Sequence, residues 1–386
     1  MTAASPPLRI CHYYARAFEH RSGVTGAIAS WAAAQQAAGD QVTVLGAEAP
    51  CPQPQPYPEG VEARAISHLG HGRATWVPRH TGDELVGQDV LVLHEGWTPS
   101  TTVAAQAARR HAVPYLVVPH GVYEPDWVKL LRAPRARSIA ERRVLGAAAG
   151  VHLFFDSEVP AIRSLAPDTP VLIAPTGYDL PARTWSGGGG NLLWIGRYSI
   201  HHKGLDLLLQ ALARLPRESR PKLMMRGEDE LDERQRVEEL VERSGLRDWV
   251  DVGGPVYGEE KTDLLLSCAG YVQPSRWECH SLGLLEALAH GVPTLVSSEM
   301  HVAPALAACG AAVVVSLELP ELADGLVTLA AGAPATGHAG RIYVAERLNW
   351  DVVIGHYQRE VRALLATGQP TSSGDDERRR VSDAHR

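Results

Sequence analysis

The sequence predicts an α/β protein built from two Rossmann-like domains, each with a parallel sheet. Short apolar runs alternate with amphipathic stretches through nearly the whole chain, as in strands joined by crossover helices. The pattern stops at Trp185-Ser186-Gly187-Gly188-Gly189-Gly190 and starts afresh at Asn191. The 386 residues suit two domains of about 150 residues each.

The first domain is expected over residues 1–185. Its strands are read at 8–13, 41–45, 89–93, 115–118, 151–155 and 171–173, with a helix at 24–38 ended by Gly39. Residues 186–190 are read as the linker, because four glycines combine maximal backbone freedom with no core-forming side chain. The second domain is expected over 191–345. It opens with a strand at 191–195 and a helix whose Leu205, Leu208, Leu209, Leu212 and Leu215 fall on one face. Further strands are read at 222–225, 249–252, 271–273, 294–296 and 312–315. Trp350, Val353, Ile354, Tyr357, Val361, Leu364 and Leu365 form another apolar stripe, predicting a closing helix over 349–366. Residues 367–386 are polar and charged, include Arg378-Arg379-Arg380, and read as a disordered tail.

Composition excludes several roles. The net charge of −7 lacks the basic excess of a general nucleic-acid binder. The five cysteines, Cys11, Cys51, Cys268, Cys279 and Cys309, are odd in number and show no C-x-x-C spacing. That argues against a disulfide framework and a structural zinc site, and fits a reducing, cytoplasmic setting. No signal-peptide pattern opens the chain, and no run reaches the roughly 18 apolar residues of a spanning helix. The histidines His12/His20, His68/His71 and His201/His202 lack metal-site spacing, so no metal is expected.

Two segments carry chemistry. In Glu278-Cys279-His280-Ser281-Leu282-Gly283-Leu284-Leu285-Glu286, Ser281 can cap a helix with Glu278 before it and Glu286 in its second turn. Free N–H groups at that helix start suit a diphosphate, and the carboxylates suit sugar hydroxyls. The spacing alone equally fits a surface helix with two solvated glutamates. In Gly196-Arg197-Tyr198-Ser199-Ile200-His201-His202-Lys203-Gly204, a strand gives way to a helix at the carboxyl edge of the predicted sheet, where α/β ligands collect. Arg197 and Lys203 suit phosphate oxygens, or are solvated basic side chains beside a loop.

Together these segments resemble the family 4 glycosyltransferases, retaining enzymes of the GT-B architecture, whose two Rossmann-like domains face each other across a cleft. Members carry Gly-Arg, a spacer and Lys-Gly, then two glutamates with seven residues between them. The resemblance reaches to about Leu365 and implies a nucleoside diphosphate sugar as substrate, with UDP or GDP among the carriers, and no separate cofactor. It implies that Gly196, Arg197 and Lys203 meet the diphosphate, Glu278 the donor sugar and Glu286 the ribose, while Ser281 and Leu282 present backbone N–H groups. Arg21-Ser22-Gly23-Val24-Thr25-Gly26 resembles the family's glycine-bearing loop under the phosphates, and Pro119-His120-Gly121 its His-Gly element near the reacting sugar. His94-Glu95 ends another strand and is read as facing the cleft or serving the core. Where members often have Phe-Gly, this chain has His280-Ser281, so His280 either reaches the donor or fills the aromatic's place.

The acceptor, whether glycan, glycolipid or small natural product, is not legible. Lys129, Arg132, Arg135, Arg137, Arg142 and Arg143 lie among apolar residues over 129–145, which allows a peripheral membrane contact or a solvated helix face. Competing readings of the same scaffold are a nucleotide-sugar epimerase, a glycosyl phosphorylase and a non-catalytic nucleotide-sugar-binding module.

Overall fold

The structure, a computed structural model, describes residues 6–48, 55–70, 75–131, 135–229 and 231–367. Cys51, His71, Arg132 and the predicted tail beyond 367 lie outside the described residues.

The first sheet contains β1 (Arg9–Tyr13), β2 (Gln41–Ala47), β3 (Glu62–Ile66), β4 (Val90–His94), β5 (Tyr115–Val118), β6 (Gly150–Leu153) and β7 (Val171–Ile173). All pairings are parallel, in the order β3-β2-β1-β4-β5-β6-β7. The second contains β8 (Asn191–Ile195), β9 (Lys222–Arg226), β10 (Val250–Gly253), β11 (Gly270–Gln273), β12 (Thr294–Ser297) and β13 (Val313–Val315), again all parallel, in the order β10-β9-β8-β11-β12-β13. Both are doubly wound. The strand order reverses between β1 and β4 and between β8 and β11, which opens a crevice beyond the carboxyl ends of those strands.

Central strands are apolar on both faces because helices cover both faces; every residue of β4 is buried. The edge strand β3 has no apolar run: four of its five residues are exposed, and backbone pairing with β2 defines it.

The helices that matter here are α1 (Gly23–Ala37), α2 (Leu205–Arg214), α3 (Gly258–Ser267), α4 (Leu282–His290) and α5 (Trp350–Thr367). α5 packs on the first sheet's unit. Its Val353, Ile354, Tyr357 and Val361 share a core with Ile10, Trp31, Val90 and Leu116, and the Trp31 and Tyr357 rings lie 4.7 Å apart. Gln358 and Arg362 add hydrogen bonds to Asp40 and to the Pro6 carbonyl.

The glycine run expected to link the domains is strapped to the second unit. Trp185 donates its backbone N–H to the His290 carbonyl and its indole N–H to that of Cys268, and Gly189 donates to Ser267. A Cβ on Gly188 would lie 1.6 Å from the Cys268 oxygen, so glycine is required there by close packing. The chain passes between the units just after β7 and returns just before α5. These crossings touch: Tyr178 N–H donates to the Leu348 carbonyl at 2.7 Å, and a Cβ on Gly177 would lie 2.6 Å from the Trp350 ring.

In the 129–145 segment, Val144 and Leu145 belong to the core, while Arg135, Ile139, Arg142 and Arg143 are exposed. Lys129 pairs with Asp126, and Arg137 donates to the Trp97 carbonyl. Among the described residues no helix is long and apolar enough to cross a membrane.

Tyr357 is 1% exposed and fills the space between α5 and α1. Tyr357→Ala is expected to destabilise the first unit by about 3–5 kcal/mol in urea denaturation; a loss below about 1 kcal/mol would contradict this packing.

Candidate functional site

The loops that follow β8 and β11 are pinned to each other at the second sheet's switch point. Gly204 adopts φ +65, and a Cβ there would lie 2.0 Å from the Pro274 carbonyl oxygen, so the Lys-Gly pair has a steric reason. Arg276 forms a two-pronged ion pair with Asp206 at 2.8 and 2.7 Å and donates to the His201 carbonyl. The His202 ring stacks on Trp277, with centroids 4.6 Å apart. Burial, with Lys203 next, pushes the His202 imidazole down to about 3, so this contact is neutral near pH 7.

Lys203 and Glu278 form an ion pair inside that clamp, their side chains 13% and 12% exposed. Gln273 and Ser275 also donate to the Glu278 carboxylate, at 3.0 and 3.3 Å. Burial alone would raise the acid's pKa. The Lys203 charge, the neighbouring His202 and the hydrogen bonds from Lys203 and Ser275 instead hold it down to about 2. Arg197 has no ion-pair or hydrogen-bond partner among the described residues. Its charge is among those that lower the His202 imidazole.

Ser281 caps α4. Its hydroxyl accepts from Leu284 N–H at 3.3 Å and donates to Gln273 Oε1 at 2.8 Å. Gln273 thus ties the helix start to Glu278. The backbone N–H groups at Leu282 and Gly283 have no intrahelical acceptor. Gly283 lies tight against Tyr271, whose hydroxyl would be 2.7 Å from a Cβ.

The start of α1 faces this helix start. Ser22 and Thr25 form its capping box, and a Cβ on Gly26 would touch Leu282 Cδ1 at 3.0 Å. A Cβ on Gly23 would meet nothing within 4 Å. The first turns of two helices, one from each unit, therefore meet, and each start carries a partial positive charge. Gly196 lies on the floor of the same loop: it donates to the Arg226 carbonyl, and a Cβ would press on Trp194.

Glu286 lies in the second turn of α4 and forms an ion pair with Lys261 of α3. Lys261 and Gln273 are polar residues of the site that the sequence reading did not single out. Gln273, the last residue of β11, was detectable by the strand-end rule that flagged Arg197; nothing in the local sequence flagged Lys261.

On the first sheet His120 follows β5 in a left-handed conformation, φ +51, with Gly121 at φ +84. It ends a hydrogen-bonded row. Gln35 Oε1 is 2.7 Å from His12 Nε2, His12 Nδ1 is 2.8 Å from His94 Nε2, and His94 Nδ1 is 2.8 Å from His120 Nε2. With the Gln35 carbonyl accepting from His12, each ring in turn is a neutral Nε2–H tautomer, and His120 Nδ1 is left as an acceptor. Burial, reinforced by the other histidines, pushes His120 down to about 3; burial pushes His12 down to about 4. His94 is buried in the middle of the row rather than set at its open end.

His280 stacks on Phe155 and tilts against Phe154, which also touches His120. It fills an aromatic place, yet both its ring nitrogens are buried without a hydrogen-bond partner among the described residues.

Residues 22–177 match the family model for a glycosyl transferase 4-like domain, and residues 189–331 the model for glycosyl transferases group 1. These matches cover most of the chain, and it belongs to the group 1, family 4-like glycosyltransferases with the GT-B fold. An uncharacterized glycosyltransferase of Methanocaldococcus jannaschii is 32% identical over 107 residues, 28% of this chain and 27% of that protein. The mannosylfructose-phosphate synthase of Agrobacterium fabrum is 33% identical over 117 residues, 28% of this chain and 25% of that protein. The chain thus aligns with only about a quarter of these curated relatives' lengths. Among solved structures, the sucrose-phosphate synthase of Thermosynechococcus elongatus superposes with a TM-score of 0.77 at 20% identity, covering 94% of this chain and 100% of that one. The Anabaena protein HepE, solved with UDP and glucose, gives a TM-score of 0.74 at 13% identity, covering 92% and 100%.

Two outcomes follow. Lys203→Ala leaves a buried carboxylate unpaired and is expected to cost about 3–5 kcal/mol of stability, most of it recovered in Lys203→Met/Glu278→Gln; equal losses in chemical denaturation would remove the ion pair's structural role. The buried histidines, with folded values of about 4 for His12, His152 and His280 and about 3 for His120 and His202, bind protons more readily when unfolded. Stability is therefore full above the ordinary imidazole value of 6.5 and falls as pH drops from there toward the folded values. Glu278, ionised in the folded protein down to about 2, adds a further loss once pH falls below the ordinary glutamate value of 4.5. A melting temperature that stays flat over the window from about pH 7 to 4.5 would contradict this burial of neutral imidazoles.

Proposed function

We propose that the chain is a retaining glycosyltransferase that moves a sugar from a nucleoside diphosphate sugar to a hydroxyl acceptor. The observation that carries this reading is the convergence of the α1 and α4 starts beside Lys203 and the unpartnered Arg197. Positive potential from the helix starts and Arg197 then meets where a diphosphate leaves, with Lys203 held there by its pairing with Glu278. That the Anabaena neighbour was solved with UDP and glucose supports a nucleotide sugar as donor.

In this reading Arg197, Lys203 and the free N–H groups of α4 take up the charge that grows on the departing diphosphate, with Gly196 and Gly23 letting backbone approach it. Glu278, already ionised, accepts from donor-sugar hydroxyls. Glu286 accepts from the ribose hydroxyls, with Lys261 orienting its carboxylate. Neutral His120 lies near the reacting sugar as a hydrogen-bond acceptor, and His280 offers its unpartnered nitrogens from the other side of Phe154. The bond from the anomeric carbon to phosphate oxygen breaks, and a bond to the acceptor oxygen forms on the same face. The departing phosphate oxygen takes the acceptor's proton, so no side-chain base is required. No protein-held cofactor enters the reaction.

Arg197 is the cleanest probe because its removal orphans no partner. Arg197→Ala is expected to keep the melting temperature and to lower acceptor-dependent release of nucleoside diphosphate by about 10²–10³-fold across a panel of UDP- and GDP-sugars. Anomeric coupling constants of the product report retention. Near-wild-type turnover in the variant would remove the site assignment, and nucleotide release that ignores acceptor would favour another reaction on this scaffold.

A further inference from the structure

The seam between the two units buries a second group of polar side chains that the proposed transfer does not use. Glu124 and Glu158 come from the first unit, Cys279 and His301 from the second. One ligand atom each from Glu124, Cys279 and His301 lies within 4.8 Å of the others. Glu124 Oε1 is 2.7 Å from His301 Nε2. Cys279 Sγ is 3.9 Å from Glu124 Oε1 and 3.1 Å from Glu158 Oε2. Cys279 and Glu158 are 7% and 4% exposed, and the side chains of His301 and Glu124 13% and 12%. No lysine or arginine pairs with either glutamate among the described residues.

The atoms behind these groups already hold them in place. Glu158 Oε1 accepts the backbone N–H groups of Phe154 and Phe155 at 2.8 and 2.9 Å, which leaves Oε2 for the cluster. His301 Nδ1 is bonded to Ser157 Oγ at 2.7 Å, which directs Nε2 at Glu124. A histidine fixed through its far nitrogen is the usual support of a metal ligand. The backbone at Gly121 closes the site from the first unit: a Cβ there would lie 3.1 Å from Cys279 Sγ.

We propose that Glu124, Cys279 and His301 form a three-residue site for a zinc-class divalent cation that ties the two units together, with Glu158 holding the cysteine from behind. One sulfur, one imidazole nitrogen and one carboxylate suit a borderline-soft ion, whereas magnesium and calcium take oxygen ligands. Bonds of about 2.3 Å to sulfur and about 2.0–2.1 Å to nitrogen and oxygen place tetrahedral ligand pairs roughly 3.3–3.6 Å apart. The Glu124–His301 and Glu124–Cys279 contacts of 2.7 and 3.9 Å bracket that spacing, and the three ligand atoms all lie within 4.8 Å of one another. Loading releases the Cys279 thiol proton to solvent and shifts the His301 Nε2 proton to Nδ1, which then donates to Ser157, so that the thiolate and the Glu124 carboxylate meet the cation's charge. Cys279 lies between Glu278 and His280, so the ion would hold that loop against the first unit. Its role is structural and does not depend on which sugar is transferred.

The test strips the full chain with a chelator and titrates it with Co²⁺, then Zn²⁺. One equivalent of Co²⁺ is expected to bind with sulfur-to-cobalt charge-transfer absorption, and Zn²⁺ to displace it. Cys279→Ser should abolish that absorption, while Cys309→Ser, at an exposed thiol, leaves the titration unchanged. Ser157→Ala removes only the hydrogen bond behind His301 and should weaken Co²⁺ binding about 10–100-fold. It also keeps the test open if Cys279→Ser fails to fold. Folded wild-type protein without the charge-transfer band, the same band in folded Cys279→Ser, or unchanged affinity in Ser157→Ala would overturn the site.

Discussion

The site of this protein rests on the clamp between the loops after β8 and β11. Gly204 is pressed against the Pro274 carbonyl, Arg276 grips Asp206, and Lys203 meets Glu278 inside. The buried ion pair contributes little net stability, since desolvation opposes its attraction. What it fixes is position: one cation and one anion lie beside the start of α4, and Gln273 ties the anion to that helix's cap. A loose loop would place the same charges without the preorganisation that stabilises a leaving anion.

The first unit contributes a different electrostatic device. Three buried imidazoles in a row cannot all be charged, and desolvation keeps the members of the row neutral. The row passes one tautomer choice outward from Gln35 to His120, so a residue deep under the sheet sets the hydrogen-bonding sense of one beside the cleft. His120 combines a left-handed backbone with this hydrogen bond to His94. Strand β1 supplies His12 and β4 supplies His94, so the row runs along the switch point of the first sheet, as the clamp does in the second.

Much of this was legible. The alternation of apolar runs gave both sheets, because buried parallel strands must be apolar on both faces. β3 was not legible, since an edge strand held by backbone pairing has no such requirement. The Lys203-Gly204 and Glu278 to Glu286 spacings were readable because each lies within one loop and one helix turn. Lys261 was invisible because it reaches Glu286 from a neighbouring helix. The glycine run was read as a linker on conformational freedom alone. Its closest packing, against the Cys268 carbonyl, explains the glycine at 188 by contact rather than by flexibility.

By itself the sequence determined the class of fold, the two helix starts with the Ser281 cap of the second, and which charges accompany them. These are local properties, set by periodicity and by neighbours a few residues apart. Tertiary structure alone decided that the α1 and α4 starts face each other, that His12, His94 and His120 touch, and that Glu124, Glu158, Cys279 and His301 share one seam. Each of those meetings joins residues from separate strands or separate units, and their order along the chain carries no record of the distance between them in space.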